Sequence, residues 1–215
     1  MYIVIGIIGL ALVVWFLYSW LSVRSIEEPT YRVEKQTSDY EIRRYEPYII
    51  AATTVTGASN RDDAARKGFP IVAGYIFGDN TKADKIAMTV PVNTEEKLSE
   101  KIAMTVPVNT EASLETNSYT VSFVMPRQYT LETLPKPNDN RVTLREIPQR
   151  TVAVRRFSWS NRESAFLKNE TSLREALKRD GIETFGSINV ARFNPPWTIP
   201  FMLRNEVQIE VAPVN

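Results

Sequence analysis

The chain begins with a long apolar stretch and then alternates between apolar and polar residues. No charged residue occurs in residues 2–23, and a helix of about 20 apolar residues is long enough to span a bilayer core of roughly 30 Å. Aromatic residues near its end suit a membrane interface: Trp15, Tyr18 and Trp20. The pattern predicts a transmembrane anchor over residues 1–24, a linker over residues 25–30 and a folded domain over residues 31–215.

The charges around the apolar stretch indicate its orientation. The nearby basic residues all follow it: Arg24, Arg32 and Lys35. By the positive-inside rule, we expect a single-pass membrane protein whose folded domain lies in the cytoplasm. A cleaved signal peptide is the alternative, but the stretch has neither a basic start nor a clear small-x-small cleavage site.

Alternation of apolar and polar residues predicts a domain rich in β-strands. We expect strands at residues 31–36, 40–45, 48–56, 119–125, 141–147, 151–159, 187–193 and 205–211. A helix is expected at residues 162–179, with Asn161 as its N-cap and Gly181 at its C-terminal end. Residues 129–140 are rich in Pro and Asn and are predicted to form a loop.

A first helix is expected from residue 61 to about residue 77. Asn60 is its predicted N-cap, and Pro70 predicts a kink or a restart near Gly68. Apolar residues recur at spacings of three and four and predict one apolar face: Ala65, Phe69, Val72, Ala73 and Ile76.

Eleven identical residues, KIAMTVPVNTE, occur twice, at residues 85–95 and 101–111. Apolar residues two apart predict a strand with one buried face in each copy. The polar residues 93–100 between the copies are expected to form a hairpin loop. The repeat indicates a duplication that lengthened a hairpin, or alternate residues that line a ligand pocket, and the two interpretations are compatible.

A longer internal repeat relates residues 44–61 to residues 145–162, which match at six of eighteen positions without a gap. Each segment reads as strand, proline, strand and helix start. The chain is therefore predicted to form a pseudo-twofold α+β domain, with one twisted antiparallel sheet or barrel and two helices on its outside. A cleft between a helix and the sheet is the natural ligand site.

Composition excludes several kinds of chemistry. The chain has 26 basic and 25 acidic residues without a basic cluster, so we expect no nucleic-acid binding. It has no Cys and no His, which excludes Ser-His-Asp catalysis, thiolate sites for zinc or iron–sulfur clusters, and a haem with a proximal His. No spacing of carboxylates or tyrosines identifies a catalytic group, so the sequence does not predict an enzyme.

Four segments in combination resemble the SOUL haem-binding protein family. They are GYIFGDN at residues 74–80, KIAMTVPV, VSFVMP at residues 121–126, and FNPPWTIPFMLRNEV at residues 193–207. The doubled MTxPV segment resembles a subgroup with plant and microbial members. The resemblance implies a twisted antiparallel β-barrel with two flanking helices that binds a tetrapyrrole in a shallow apolar cleft beside the first helix. The fold is also similar to that of GyrI-like effector-binding domains, which bind varied small molecules.

The resemblance also implies which residues contact the tetrapyrrole. The pocket wall on the first helix corresponds to Arg66, Phe69, Val72, Ala73 and Ile76, and Arg66 would pair with a propionate. Further candidates are Met88 and Met104 of the repeat strands and Trp197 and Phe201 of the Pro-rich loop, although each is also explained as a packing residue. Basic residues of some members are replaced by Gly74 and Thr198, and iron ligation would fall to a Met, Tyr or Lys.

The sequence leads to three hypotheses of different classes. The first is a membrane-anchored protein that binds haem or a related tetrapyrrole non-covalently, without His ligation, to carry, buffer or sense it. The second is a GyrI-like effector-binding module or hydrolase for another small molecule. The third is a structural or protein-interaction role, with the cleft filled by side chains.

Overall fold

The computed structural model describes residues 2–21, 26–96, 118–195 and 197–213. Its helices are α1 (Tyr2–Leu21), α2 (Arg61–Ile76) and α3 (Glu163–Arg179), with a short 3-10 helix at Pro200–Met202. Its strands are β1 (Tyr31–Gln36), β2 (Glu41–Tyr45), β3 (Tyr48–Thr56), β4 (Val92–Glu96), β5 (Ser118–Val124), β6 (Thr143–Ile147), β7 (Arg150–Phe157), β8 (Thr184–Arg192) and β9 (Asn205–Val211).

The strands form one antiparallel sheet in the order β1-β2-β7-β9-β8-β4-β5-β3-β6. From β2 to β6 this order is symmetric about the β8–β4 pair. The pairing repeats at the offset seen in the sequence, because Arg44 pairs with Thr151 and, 101 residues further along, Arg145 pairs with Ile50. The prediction of an α+β fold built on an antiparallel sheet is confirmed.

Two short links force this sheet to curl. Glu46 and Pro47 alone join β2 to β3, and Pro148 and Gln149 alone join β6 to β7. Yet β2 and β3 lie six positions apart in the sheet, a separation of about 29 Å if the sheet were flat. Two linking residues bridge at most about 11 Å. The two ends of the sheet must therefore approach each other, which gives the sheet a concave and a convex face.

Helices α2 and α3 both cover the convex face of the sheet. Val92 packs under α2, and its cross-strand partner Arg192 lies over the ring of Phe166 in α3. Paired residues point to the same face of a sheet, so the two helices lie on one side. Under α2 the core contains Ala51, Val72, Tyr75, Ile76 and Phe123. Under α3 it contains Ile42, Phe166, Leu173, Leu177, Val190 and Val207.

The first predicted helix is confirmed, with one correction. The side chain of Asn60 accepts a hydrogen bond from the N–H of Asp63 (2.9 Å) and caps α2. The predicted restart near Gly68 is wrong, because α2 continues through Pro70. Pro70 is exposed, so its ring does not disturb the packed side of the helix.

The predicted cap of the second long helix is wrong. Arg162 precedes α3 and makes no side-chain cap hydrogen bond. The Asn161 side chain instead accepts a hydrogen bond from Asn205 Nδ2 (2.7 Å). The Asn161 side chain is therefore bonded to β9 and does not cap the helix.

The strand predicted in the first repeat copy is mostly wrong. Residues 86–90 belong to no strand, and β4 begins only at Val92 and continues to Glu96, into residues 93–100, predicted to form a hairpin loop. The reason is tertiary hydrogen bonding: the N–H of Ile86 donates to the carbonyl of Ile76 (2.9 Å), and the hydroxyl of Thr89 donates to the carbonyl of Val124. The second copy, with Met104, lies outside the described residues.

The prediction of a single-pass membrane protein is wrong. Within the described ranges, no helix meets the length and apolarity needed to cross a membrane, and the orientation inferred from nearby charges loses its basis. α1 contacts the folded domain instead. Trp15 Nε1 donates to the carbonyl of Trp197 (2.9 Å), and the N–H of Ile199 donates to the hydroxyl of the buried Ser19 (3.4 Å).

The close contact between α2 and β5 gives a stability prediction. A Cβ added at Gly68 would lie 2.7 Å from Val121 Cγ2 and 3.1 Å from Val55 Cγ2. We expect Gly68→Ala to lower the free energy of unfolding by about 1–3 kcal/mol through overpacking, although Ala favours a helix over Gly by about 1 kcal/mol. Urea unfolding followed by circular dichroism measures the change.

Gly74 of the same helix is the matched control, since a Cβ there would have no atom within 4 Å. Gly74→Ala is expected to be neutral or to stabilise by up to about 1 kcal/mol. Equal effects of the two substitutions would contradict the proposed packing of α2 on β5.

Candidate functional site

The centre of the concave face, along β9, β8 and β4, is lined by polar side chains, whereas apolar clusters around Ile50 and Val152 lie to either side of it. Val207 and Ile209 of β9 belong to the core under α3. Because side chains alternate along a strand, Glu206, Gln208 and Glu210 face the concave side. The same alternation continues across β8, β4 and β5, so this face has the charged and amide side chains that the convex core lacks.

A buried carboxylate organises the centre of this face. Glu206 is fully buried, and both its oxygens accept hydrogen bonds from Arg43 Nη1 (3.1 and 3.0 Å). It also accepts from Arg204 Nε (3.1 Å) and Gln208 Nε2 (2.9 Å). Arg204 in turn donates to Glu28 (2.7 Å). A buried charge is tolerated only when it is paired and hydrogen-bonded in this way.

The network keeps its members in fixed charge states. Burial by itself lowers the pKa of the Arg43 guanidinium, but the Glu206 carboxylate, Tyr45 and the hydrogen bonds to Tyr45 and Glu41 together outweigh this and raise the pKa. Burial raises the pKa of the Tyr45 phenol, and Glu206 adds to the rise. Arg43 therefore stays protonated and Tyr45 stays neutral at physiological pH, which fits a structural network better than a proton-transfer site.

A chain of buried amides continues from this network across the concave face. Asn189 Nδ2 donates to Gln208 Oε1 (3.0 Å) and to Asn93 Oδ1 (2.9 Å). Asn189 Oδ1 is buried and has no hydrogen-bond partner among the described residues. The side chain therefore offers an acceptor that the protein itself does not use.

This acceptor borders a cavity that we name the polar trough. It encloses about 260 Å³ on the concave face. Its lining includes Tyr48, Asn93, Glu95, Ser122, Arg145, Arg150, Asn189 and Glu210. The trough thus combines carboxylates, amides and guanidinium groups around one small volume.

A second cavity, which we name the apolar groove, lies on the convex side and encloses about 530 Å³. Its lining includes Tyr48, Ile49, Met125, Pro126, Arg127, Tyr129, Leu131, Glu132 and Glu146. Ile49 and Met125 belong to the core cluster under α2. The hydroxyl of Tyr75 donates to the carbonyl of Pro135 (3.0 Å), so the loop that borders the groove is held beside the end of α2.

The residues predicted on the first helix divide into two groups. Val72, Ala73 and Ile76 are buried, and Val72 and Ile76 pack in the cluster that contains Phe123. Phe69 remains 39% exposed, with its ring 5.2 Å from the ring of Phe123. Arg66 is exposed and donates to Asp63 (2.7 Å). Of these five residues, only Arg66 and Phe69 remain accessible to a ligand without a change in the core.

The other predicted residues are not all close to α2. Met88 is 38% exposed and lies between Ile86 and Thr89, which bond to α2 and to the end of β5. Trp197 and Phe201 are exposed, and their described contacts are to Trp15 of α1 and to the ring of Trp159 (6.1 Å). These two aromatic residues therefore belong to a separate surface.

Sequence reasoning missed the polar trough. On the concave face that contains the trough, polar residues alternate with apolar residues along the strands: Ser187 and Asn189 along β8, and Glu206, Gln208 and Glu210 along β9. This period-two polar pattern was the available signal. It was not used because a polar strand face is normally taken as solvent-exposed, whereas curling of the sheet encloses it here.

Comparison with known proteins shows which family the chain belongs to. A profile described as SOUL heme-binding protein matches residues 26–210. The chain belongs to the SOUL family. Heme-binding protein 1 of Mus musculus is 29% identical over 179 residues, covering 83% of this chain and 87% of that protein. Heme-binding protein 2 of Mus musculus is 26% identical over 162 residues, covering 74% and 73%. The subgroup indicated by the doubled segment remains a prediction.

Solved structures support the fold. The C-terminal domain of EcmrR has a TM-score of 0.58 at 11% identity, with 86% of this SOUL-family chain and 99% of that chain covered. A hydrolase from Listeria innocua has a TM-score of 0.50 at 11% identity, with 83% and 94% covered. At these identities the likeness concerns the fold alone.

The Glu206 network gives a second stability prediction. Arg43→Met removes the Nη1 donor that bonds both oxygens of the buried Glu206 carboxylate, while Arg204 and Gln208 still donate to it. We therefore expect the free energy of unfolding to fall by about 1.5–3 kcal/mol, as for the loss of a hydrogen bond to a buried charged group. Arg32→Met is the matched control, because Arg32 is exposed and lies 3.8 Å from Glu34, and a surface pair contributes at most about 1 kcal/mol. Urea unfolding of both variants tests this, and a loss in Arg43→Met no larger than in the control would contradict the assigned role of the network.

Proposed function

We propose that this SOUL-family chain binds haem or a related tetrapyrrole non-covalently and without histidine ligation. Family membership and relatives named heme-binding proteins support the ligand class. The observation that carries the proposal is the apolar groove beside the end of α2. Its volume of about 530 Å³ lies within the roughly 300–1,000 Å³ of sites for drug-sized ligands.

The walls of the groove suit a flat apolar ring. Ile49, Pro126 and Leu131 provide apolar surface, and Tyr129 provides an aromatic side chain. Leu131 is 44% exposed, so a ring placed against it would remove apolar surface from water. Each Å² buried contributes roughly 25 cal/mol before the costs of association.

The charged residues of the groove would define the orientation of a bound tetrapyrrole. Arg127 lies at one side, where its Nε donates to Glu27 (3.0 Å) and its side chain remains largely exposed. A propionate would bind at this guanidinium. Glu132 and Glu146 also line the groove and would repel a second carboxylate, so both propionates would lie towards Arg127.

Tyr129 is the groove side chain best suited to an iron atom. A tyrosine is a known haem ligand, and the Tyr129 hydroxyl has no hydrogen-bond partner among the described residues. Met125 is the other chemical candidate, but it is buried in the cluster under α2. Bound haem would supply an iron centre, while the groove residues would hold the ring and limit its contact with water.

The surface of α2 is the alternative location for the same ligand. Arg66 has an 80% exposed side chain, and Phe69 and Met88 are also partly exposed. A ring on this surface would contact these three residues, whereas Val72, Ala73 and Ile76 would support it from within the core. Trp197 and Phe201 would take no part, because their contacts lie on another surface.

A haem titration followed by Soret absorbance tests the function and the location. The unmodified chain is expected to show a saturable one-to-one change. Leu131→Glu places a charge in the groove and is expected to weaken binding at least tenfold, about 1.4 kcal/mol. Leu167→Glu is the matched control, because Leu167 is an exposed leucine of α3. This variant should bind haem like the unmodified chain.

Other outcomes would contradict parts of the proposal. Weaker binding in Arg66→Ala and Phe69→Ala, with Leu131→Glu unchanged, would move the ligand to the surface of α2. The absence of a saturable change with the unmodified chain would contradict tetrapyrrole binding itself.

A further inference from the structure

The polar trough is not used by the proposed tetrapyrrole site. It lies on the concave face, and Tyr48 forms a wall of both the trough and the apolar groove. Its volume of about 260 Å³ is below the roughly 300–1,000 Å³ of sites for drug-sized ligands. The trough is therefore suited to a smaller and more polar molecule.

One wall of the trough carries uncompensated positive charge. Arg145 and Arg150 lie on either side of the link between β6 and β7 and line the trough. Within the described part of the chain, neither forms an ion pair with a carboxylate. Arg150 Nη2 donates to the hydroxyl of Tyr48 (2.6 Å), and its Nε is buried without a partner. Guanidinium groups without a counter-charge suit an anionic ligand group.

The facing residues carry uncompensated acceptors. Asn189 is only 7% exposed, and its Oδ1 has no donor among the described residues. Glu95 lies opposite Asn189 in the β4–β8 pairing, and Glu210 also lines the trough. Glu95 accepts a hydrogen bond from the hydroxyl of Ser187 (2.9 Å), but across the described ranges neither glutamate is paired with a Lys or Arg. An ammonium group offers three donors and a positive charge to such acceptors.

We propose that the polar trough binds a small zwitterion, with an acidic group at Arg145 and Arg150 and an ammonium group at Asn189, Glu95 and Glu210. The arginines and glutamates line one cavity without pairing with each other, so a molecule between them satisfies both sets. A ligand with a single charge leaves one wall uncompensated and binds more weakly. Burial of the Asn189 amide fixes the acceptor in place before the ligand arrives.

Isothermal titration calorimetry of the whole chain with 4-aminobutyrate and 6-aminohexanoate tests the charge requirement. These two probes differ in the distance between their charges. We expect saturable binding of at least one of them, and at least tenfold weaker binding of butyrate and butylamine. No binding of either probe, or equal binding of the single-charge compounds, overturns the proposal.

Substitutions test whether the zwitterion binds in the polar trough. Arg145→Gln and Glu95→Gln are each expected to weaken binding of the zwitterion at least tenfold. Arg156→Gln is the matched control, because Arg156 is an exposed arginine of β7 outside the residues that line the trough. Unchanged binding in Arg145→Gln and Glu95→Gln overturns the assignment. Haem binding by the same variants should be unchanged, which separates this site from the apolar groove.

Discussion

The two-residue links between β2 and β3 and between β6 and β7 constrain the rest of the structure. They connect strands near opposite ends of one sheet, so the sheet must curl before either link can close. Pro47 and Pro148 occur in these links, where a fixed φ angle and a missing N–H cost no sheet hydrogen bond. Curling then assigns the faces: α2 and α3 cover the convex side, and the concave side becomes an interior lined mainly by strand side chains, to which Glu28 and Arg204 outside the strands also contribute.

This interior explains why a charged network is buried in a small domain. Strands that present apolar residues to the helices present the alternate residues to the concave face, and on β9 these are Glu206, Gln208 and Glu210. The full burial of Glu206 is tolerated because Arg43, Arg204 and Gln208 all donate to it. The same bonds fix the positions of the amides beyond them, so the network gives the polar trough a rigid base.

Much of the fold was predictable because local patterns agree with the tertiary structure. The bounds of β1, β3 and β9 and the Asn60 cap of α2 follow from alternation and side-chain chemistry. The failures share one physical cause, which is competition from contacts distant in sequence. Residues 86–90 alternate like a strand, but hydrogen bonds to α2 and β5 hold them outside the sheet. Asn161 bonds to β9 instead of capping α3.

The space between α2 and the sheet was not predictable from the sequence, for a different reason. A helical stripe identifies which residues face the sheet, but it does not show whether space remains between them. Val72 and Ile76 pack with Phe123 between α2 and the sheet, and a cavity of about 530 Å³ lies beyond the end of α2, in the apolar groove. Tyr48 separates this groove from the polar trough, and its hydroxyl is held by Arg150 on the trough side. One curled sheet thus carries the two proposed sites, one apolar and one polar, on its two faces, with the Tyr48 side chain as a wall of both.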